Sequence, residues 1–223
     1  MKLIFEIVLA ALTFCPVAAI IDGTFDANNE YPSDGALVFE IPEAGSDYAT
    51  GCSGVLIHPK IFLTAAHCVD DTPFFDDNGY PSGPGIWVSF DNDLSDADTE
   101  GGKCTTCLDI ERAVTSSHWD IPGSAGDVAA VILKEDYTQA GAAELPSLGY
   151  FDALKASKNL KKSPIINVGY GGSFNEATKA KYDLEYLGKR MFSISSVKSL
   201  GKNFIGLNMN KNQGNGGSCG GGK

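Results

Sequence analysis

His67 stands in TAAHCV (64–69), directly after an apolar run and beside Cys68, with Cys52 sixteen residues earlier. An imidazole gains and loses a proton near neutral pH, so it can take a proton from a weak nucleophile and hand it on. On its own such a histidine is more often a structural residue. Asp127, in GDVAAVIL (126–133), precedes a second apolar run, where an isolated aspartate is ordinarily a turn residue. CTTC (104–107) has the spacing of a redox-active pair or of half a zinc site. No second pair and no βαβ pattern accompanies it, so a loop disulfide between Cys104 and Cys107 is expected. Asp91, Asp93, Asp96 and Asp98 are oxygen donors of the kind a hard cation prefers. Their spacing matches no EF-hand loop and lacks its central glycine, so a solvated loop is expected and no metal.

Short strands must position these groups. The segments 35–41, 54–66, 85–90, 127–133, 163–170, 189–197 and 203–209 are rich in Val, Ile and Phe and bounded by Gly, Pro, Asp or Asn. Many short strands with turns between them predict an all-β barrel or sandwich. The 26 glycines against 10 prolines agree with many turns rather than long helices. Residues 142–160 break the rhythm and predict a connector between two halves, with one helical turn. Residues 71–111 are polar and acidic and read as long surface loops around one strand.

A hydrophobic content of 43% with 20% charged residues is ordinary for a chain that buries a core. The net charge of -11 argues against nucleic acid or an anionic membrane as partner. MKLIFEIVLAALTFCPVAA opens with Lys2, an apolar run interrupted by Glu6, and the small-residue pair Val17 and Ala19. That pattern predicts a secretory leader over 1–19, too short to span a bilayer, and an extracellular product. Cys15 would leave with it, and Cys52, Cys68, Cys104, Cys107 and Cys219 would remain in an oxidising setting. Five is odd, so at least one thiol lacks an intramolecular partner.

CSGVLIHPKIFLTAAHC (52–68) resembles the block around the catalytic histidine of trypsin- and chymotrypsin-like serine proteases. IIDG (20–23) with YP (31–32), GDVAAVIL, VGYGG (168–172) and GNGGSCGG (214–221) resemble further blocks of that family, in its order. The resemblance covers nearly all of 20–221. It implies two antiparallel six-stranded β-barrels, with residues 20–145 forming the first and 146–223 part of the second. The second would be incomplete at its C-terminal end. It also implies a Cys52–Cys68 bridge, His67 as general base and acid, and Asp127 orienting the imidazole. The expected activity is a secreted serine-type endopeptidase that cleaves protein or peptide substrates through an acyl-enzyme. A monomer without cofactor is expected. Cleavage after Ala19 would make Ile20 the amino terminus, whose ammonium the family pairs with the aspartate before its serine.

The match breaks at that aspartate. In the register that keeps Cys219 aligned, Gly221 is the oxyanion-hole glycine, Gly222 holds the aspartate's place and Lys223 the serine's. A rival register puts Gly216 at the nucleophile. Neither supplies a serine there. Gly217 and Ser218 fall at the base and wall of the specificity pocket, and Gly217 offers no acid for a basic substrate side chain. Three explanations stand: a noncatalytic homologue that acts as a binding protein, a truncating allele, or an incomplete gene reading. The last is the preferred expectation, because Gly-Lys can be encoded GGT-AAG, which contains a common intron start. The 223 residues alone are therefore expected to be inactive.

Overall fold

A computed structural model describes residues 18–21, 23–41, 47–70, 72–83, 85–94, 99–100, 103–104, 106–174, 184–208, 210 and 216–219. Fourteen strands are described: β1 (Ala18–Ile21), β2 (Thr24–Phe25), β3 (Asp34–Ile41), β4 (Asp47–His58), β5 (Ile61–Thr64), β6 (Ile86–Ser89), β7 (Thr99–Glu100), β8 (Lys103–Cys104), β9 (Leu108–Thr115), β10 (Ala129–Leu133), β11 (Pro164–Phe174), β12 (Leu184–Leu200), β13 (Ile205–Asn208) and β14 (Gly217–Cys219). One short helix, α1 (Tyr150–Ala156), and a 3-10 turn at Leu160–Lys162 lie in and just beyond the expected connector.

Six strands close into an antiparallel barrel in the order β10-β5-β4-β3-β6-β9. Along β10, Ala129, Val131 and Leu133 are buried and the residues between them less so, the alternation a pleated strand produces. Leu37, Leu56, Phe62 and Val88 meet Val131 and Leu133 in the interior, none more than 1% exposed. Each such side chain contributes about 1.5–3 kcal/mol through its burial. The second half is an open antiparallel sheet among the described residues, β11-β12-β13, with β2 paired to β12.

Two expectations need correction. The run 54–66 is not one strand but the hairpin β4–β5, because Pro59 and Lys60 turn the chain between them. The region 71–111 is not all loop around one strand, since β7 and β8 lie in it and β9 begins at Leu108. β9 escapes a period-2 reading because a bulge interrupts it: Ile132 opposes Arg112 while Leu133 opposes Ile110, leaving Glu111 extra. The leader over 1–19 lies outside the described residues except for Ala18 and Ala19, so the expected cleavage junction falls within β1.

The two halves meet through polar contacts from sites far apart in sequence. Tyr170 N on β11 donates to Ser53 Oγ on β4 at 2.8 Å. Arg190 on β12 is fully buried, with Nε on Asp26 Oδ2 at 2.8 Å. Its Nη1 donates to the backbone oxygens of Asp34 (2.9 Å) and Phe90 (3.0 Å), and its Nη2 to Asn29 Oδ1. One guanidinium thus ties the N-terminal segment, the barrel and the second sheet together.

Candidate active site

β5 ends at Thr64, whose hydroxyl donates to Ser53 O at 2.9 Å and holds the strand end against β4. Ala65 is extended, and the chain then winds into the single 3-10 turn Ala66–Cys68 with Ala66 buried beneath it. The Cys52–Cys68 disulfide, Cα to Cα 6.2 Å, pins that turn to β4. His67 is therefore held from both sides, with its side chain 29% exposed.

Asp127 reaches the same place from the turn ahead of β10. His67 Nδ1 donates to Asp127 Oδ2 at 2.9 Å, and the His67 backbone N–H donates to Oδ1 at 3.1 Å. Gly123 N donates to Oδ2 at 2.5 Å. The Asp127 side chain is only 2% exposed, so these three N–H donors take over from lost water, as a buried carboxylate requires. Gly126 makes the approach possible. A Cβ there would stand 2.0 Å from His118 O, so any larger residue would push the turn away from the chain beneath it.

With Nδ1 engaged as donor, the other ring nitrogen, Nε2, is the acceptor. That is the arrangement of a general base: a fixed tautomer with a buried anion behind it, on a side chain that is 29% exposed. A cleft of about 240 Å³ opens beside Asp127, between β4 and β5 of the barrel and Val168 of β11.

The remaining expected site residues divide. Cys104 and Cys107 form a disulfide, Cα to Cα 5.4 Å. Gly217 and Ser218 lie on β14, opposite Ile21 and Ile20 of β1. Gly221 lies outside the described residues, as do Asp96 and Asp98. Asp91 Oδ2 accepts the Thr106 hydroxyl at 2.8 Å, and Asp93 pairs with Lys189 at 2.7 Å, so both carboxylates have protein partners. His67 lies close to both Cys52 and Cys68, but their sulfurs are bonded to each other and offer no thiolate to a metal.

Sequence reasoning missed two supports. Gly123 was not singled out, since a backbone donor leaves no side-chain signature. Ser195, 1% exposed, donates to Gly216 O at 2.6 Å and accepts Asn167 Nδ2 at 2.8 Å. With Gly216 N on Ile194 O at 3.0 Å, this holds the approach to β14 against β12.

The trypsin family model matches residues 20–221, and the chain belongs to the trypsin family. No curated protein matches it. Among solved structures, the one described as "Structure of GrC" aligns at a TM-score of 0.51 and 14% identity. The alignment covers 80% of this chain and 66% of that one, so the chain spans just under two thirds of that relative's length. At that identity the likeness shows the fold alone.

Proposed function

We propose that the protein is by family a secreted serine-type endopeptidase, with His67 as base and acid and Asp127 as its orienting carboxylate. The observation that carries this reading is the 2.9 Å contact from His67 Nδ1 to a buried Asp127 Oδ2, on a turn clamped by a disulfide. His67 Nε2 would take the proton of a serine hydroxyl as it attacks the peptide carbonyl, then return it to the leaving amine. Gly221 N–H would donate to the oxyanion. Gly217 and Ser218 would line the specificity pocket, and protein or peptide chains are the substrates.

The reading needs a serine nucleophile, which neither register of residues 214–223 supplies. The two disulfides among the described residues fit an oxidising, extracellular setting. Among the described residues no helix is long and apolar enough to cross a membrane. A noncatalytic binding role is the second reading, favoured by Gly222 and Lys223 at the places of the family's aspartate and serine.

The test begins with the transcript across codon 222. A message that continues Asp-Ser-Gly-Gly-Pro is expressed and treated with a fluorophosphonate probe, beside its His67→Ala variant. Labelling and peptide hydrolysis that depend on His67 are expected. A product of that message that neither labels nor cleaves leaves the binding role standing.

A further inference from the structure

His67 and Asp127 stand on two separate segments, the turn after β5 and the loop that runs into β10. The Cys52–Cys68 bridge pins the first of these to β4 and does not reach the second. A base and its orienting carboxylate must hold their geometry to within about 0.5 Å to work together. The placement of the loop against the turn is therefore part of the site.

A second side-chain contact joins the same two segments: Trp119 Nε1 donates to Asp70 Oδ2. Asp70 belongs to the His67 turn, since its N–H donates to Ala66 O at 2.9 Å and closes the chain around the histidine. Trp119 belongs to the Asp127 loop. Ser116 N donates to Val128 O at 2.9 Å and Trp119 N to Ser116 O at 3.0 Å, so that loop is closed at its base. The backbone of Trp119 also lies against Gly126, where a Cβ would stand 2.9 Å from Trp119 N, and Asp127 follows that glycine. An indole suits the place. Its rings pack on the barrel core while its one N–H reaches an acceptor.

We propose that Asp70 and Trp119 are positioning residues for the His67–Asp127 pair: their hydrogen bond braces the loop that carries Asp127 against the turn that carries His67. The proposal rests on the reading of His67 as base and Asp127 as its orienting carboxylate. With the brace in place, the carboxylate meets Nδ1 from a fixed direction while the ring gains and loses its proton. Without it, the loop is free to pivot about the His67–Asp127 contact, and a misplacement of about 1 Å can cost such a site about a hundredfold.

The full chain is followed by NMR of the His67 Nδ1–H proton, read as its chemical shift and its rate of exchange with solvent. Trp119→Phe keeps an apolar ring and removes the donor. Its exchange is expected to be faster by about two- to tenfold, the range that one lost hydrogen bond gives a local opening, with the signal moved upfield. Asp70→Leu is expected to match it, and the double variant to exceed neither single. Asp70→Asn keeps an oxygen acceptor and is expected to retain wild-type exchange. Ile86→Val, a change in the barrel core outside both segments, is expected to lower the unfolding midpoint and leave the exchange rate as it was. An unchanged signal in Trp119→Phe overturns the proposal. So does an equal effect of Ile86→Val, which traces the change to general stability. A wild type with no protected Nδ1–H, or a signal that survives Asp127→Asn, removes the base-and-carboxylate reading and the proposal with it.

Discussion

Arg190 and Asp26 form an ion pair in which neither side chain is exposed, Nε to Oδ2 2.8 Å, across 164 residues of sequence. Asp26 also accepts the backbone N–H groups of Glu30 (2.7 Å) and Tyr31 (3.2 Å), so the pair sits inside a satisfied network. Burying two charges gains little over apolar packing, yet removing one partner strands the other. Arg190→Met is therefore expected to cost about 3–5 kcal/mol in urea unfolding. The double variant Arg190→Met/Asp26→Asn is expected to lose less than the sum of the singles. Additive losses would contradict a shared network.

The bridge between Cys52 and Cys68 encloses the strand, turn and strand that carry His67, with a sequence separation of 16. Opening a loop of that length costs about 3 kcal/mol through the entropy of the unfolded chain. The Cys52→Ser/Cys68→Ser variant is expected to show that loss in its denaturation midpoint. Cys104→Ser/Cys107→Ser opens a separation of only 3 and is expected to lose less. Equal losses would place the larger effect in local packing, since Cys104 is 1% exposed.

His67 and Asp127 were readable because the flanking residues carry the signal: a strand, a turn and a cysteine for one, a glycine and a strand for the other. The barrel strands were readable wherever period-2 alternation survives, as in β10. β9 was not, because its bulge puts an extra residue between Ile110 and Arg112. Arg190 was not, because its acceptors lie at residues 26, 29, 34, 90 and 170, and nothing local in KRMF announces five distant partners. Asp34 was not, because YPSD looks like a surface turn. Its burial arises only when β4 and β11 close over it.

The tautomer of His67 can be checked without any turnover. With Nδ1–H donating to a buried carboxylate, its proton is expected as a strongly downfield, exchange-protected NMR signal. Asp127→Asn is expected to abolish that signal. Gly126→Ala is expected to weaken it, because the added Cβ would meet His118 O and displace the turn. A signal that survives Asp127→Asn would remove Asp127 as the orienting group.

Asp34 leaves a signature in the pH dependence of stability. Its carboxyl is raised from 3.8 to about 6, first by burial, with Arg190 opposing and Asp26 adding to the rise. Between those two values the folded chain holds a proton that the unfolded chain has released. The contribution of Asp34 to stability is therefore full below about pH 4, falls as pH rises through about 6, and stays low above it. A shift of that size corresponds to at most about 3 kcal/mol. Asp34→Asn keeps the neutral form at every pH, so it is expected to be more stable than the wild type at pH 7.5. The advantage should shrink steadily as pH is lowered toward 4 in urea titrations. A variant that is less stable at pH 7.5, or an advantage that does not change with pH, would mean that the Asp34 carboxylate has a partner in the folded protein.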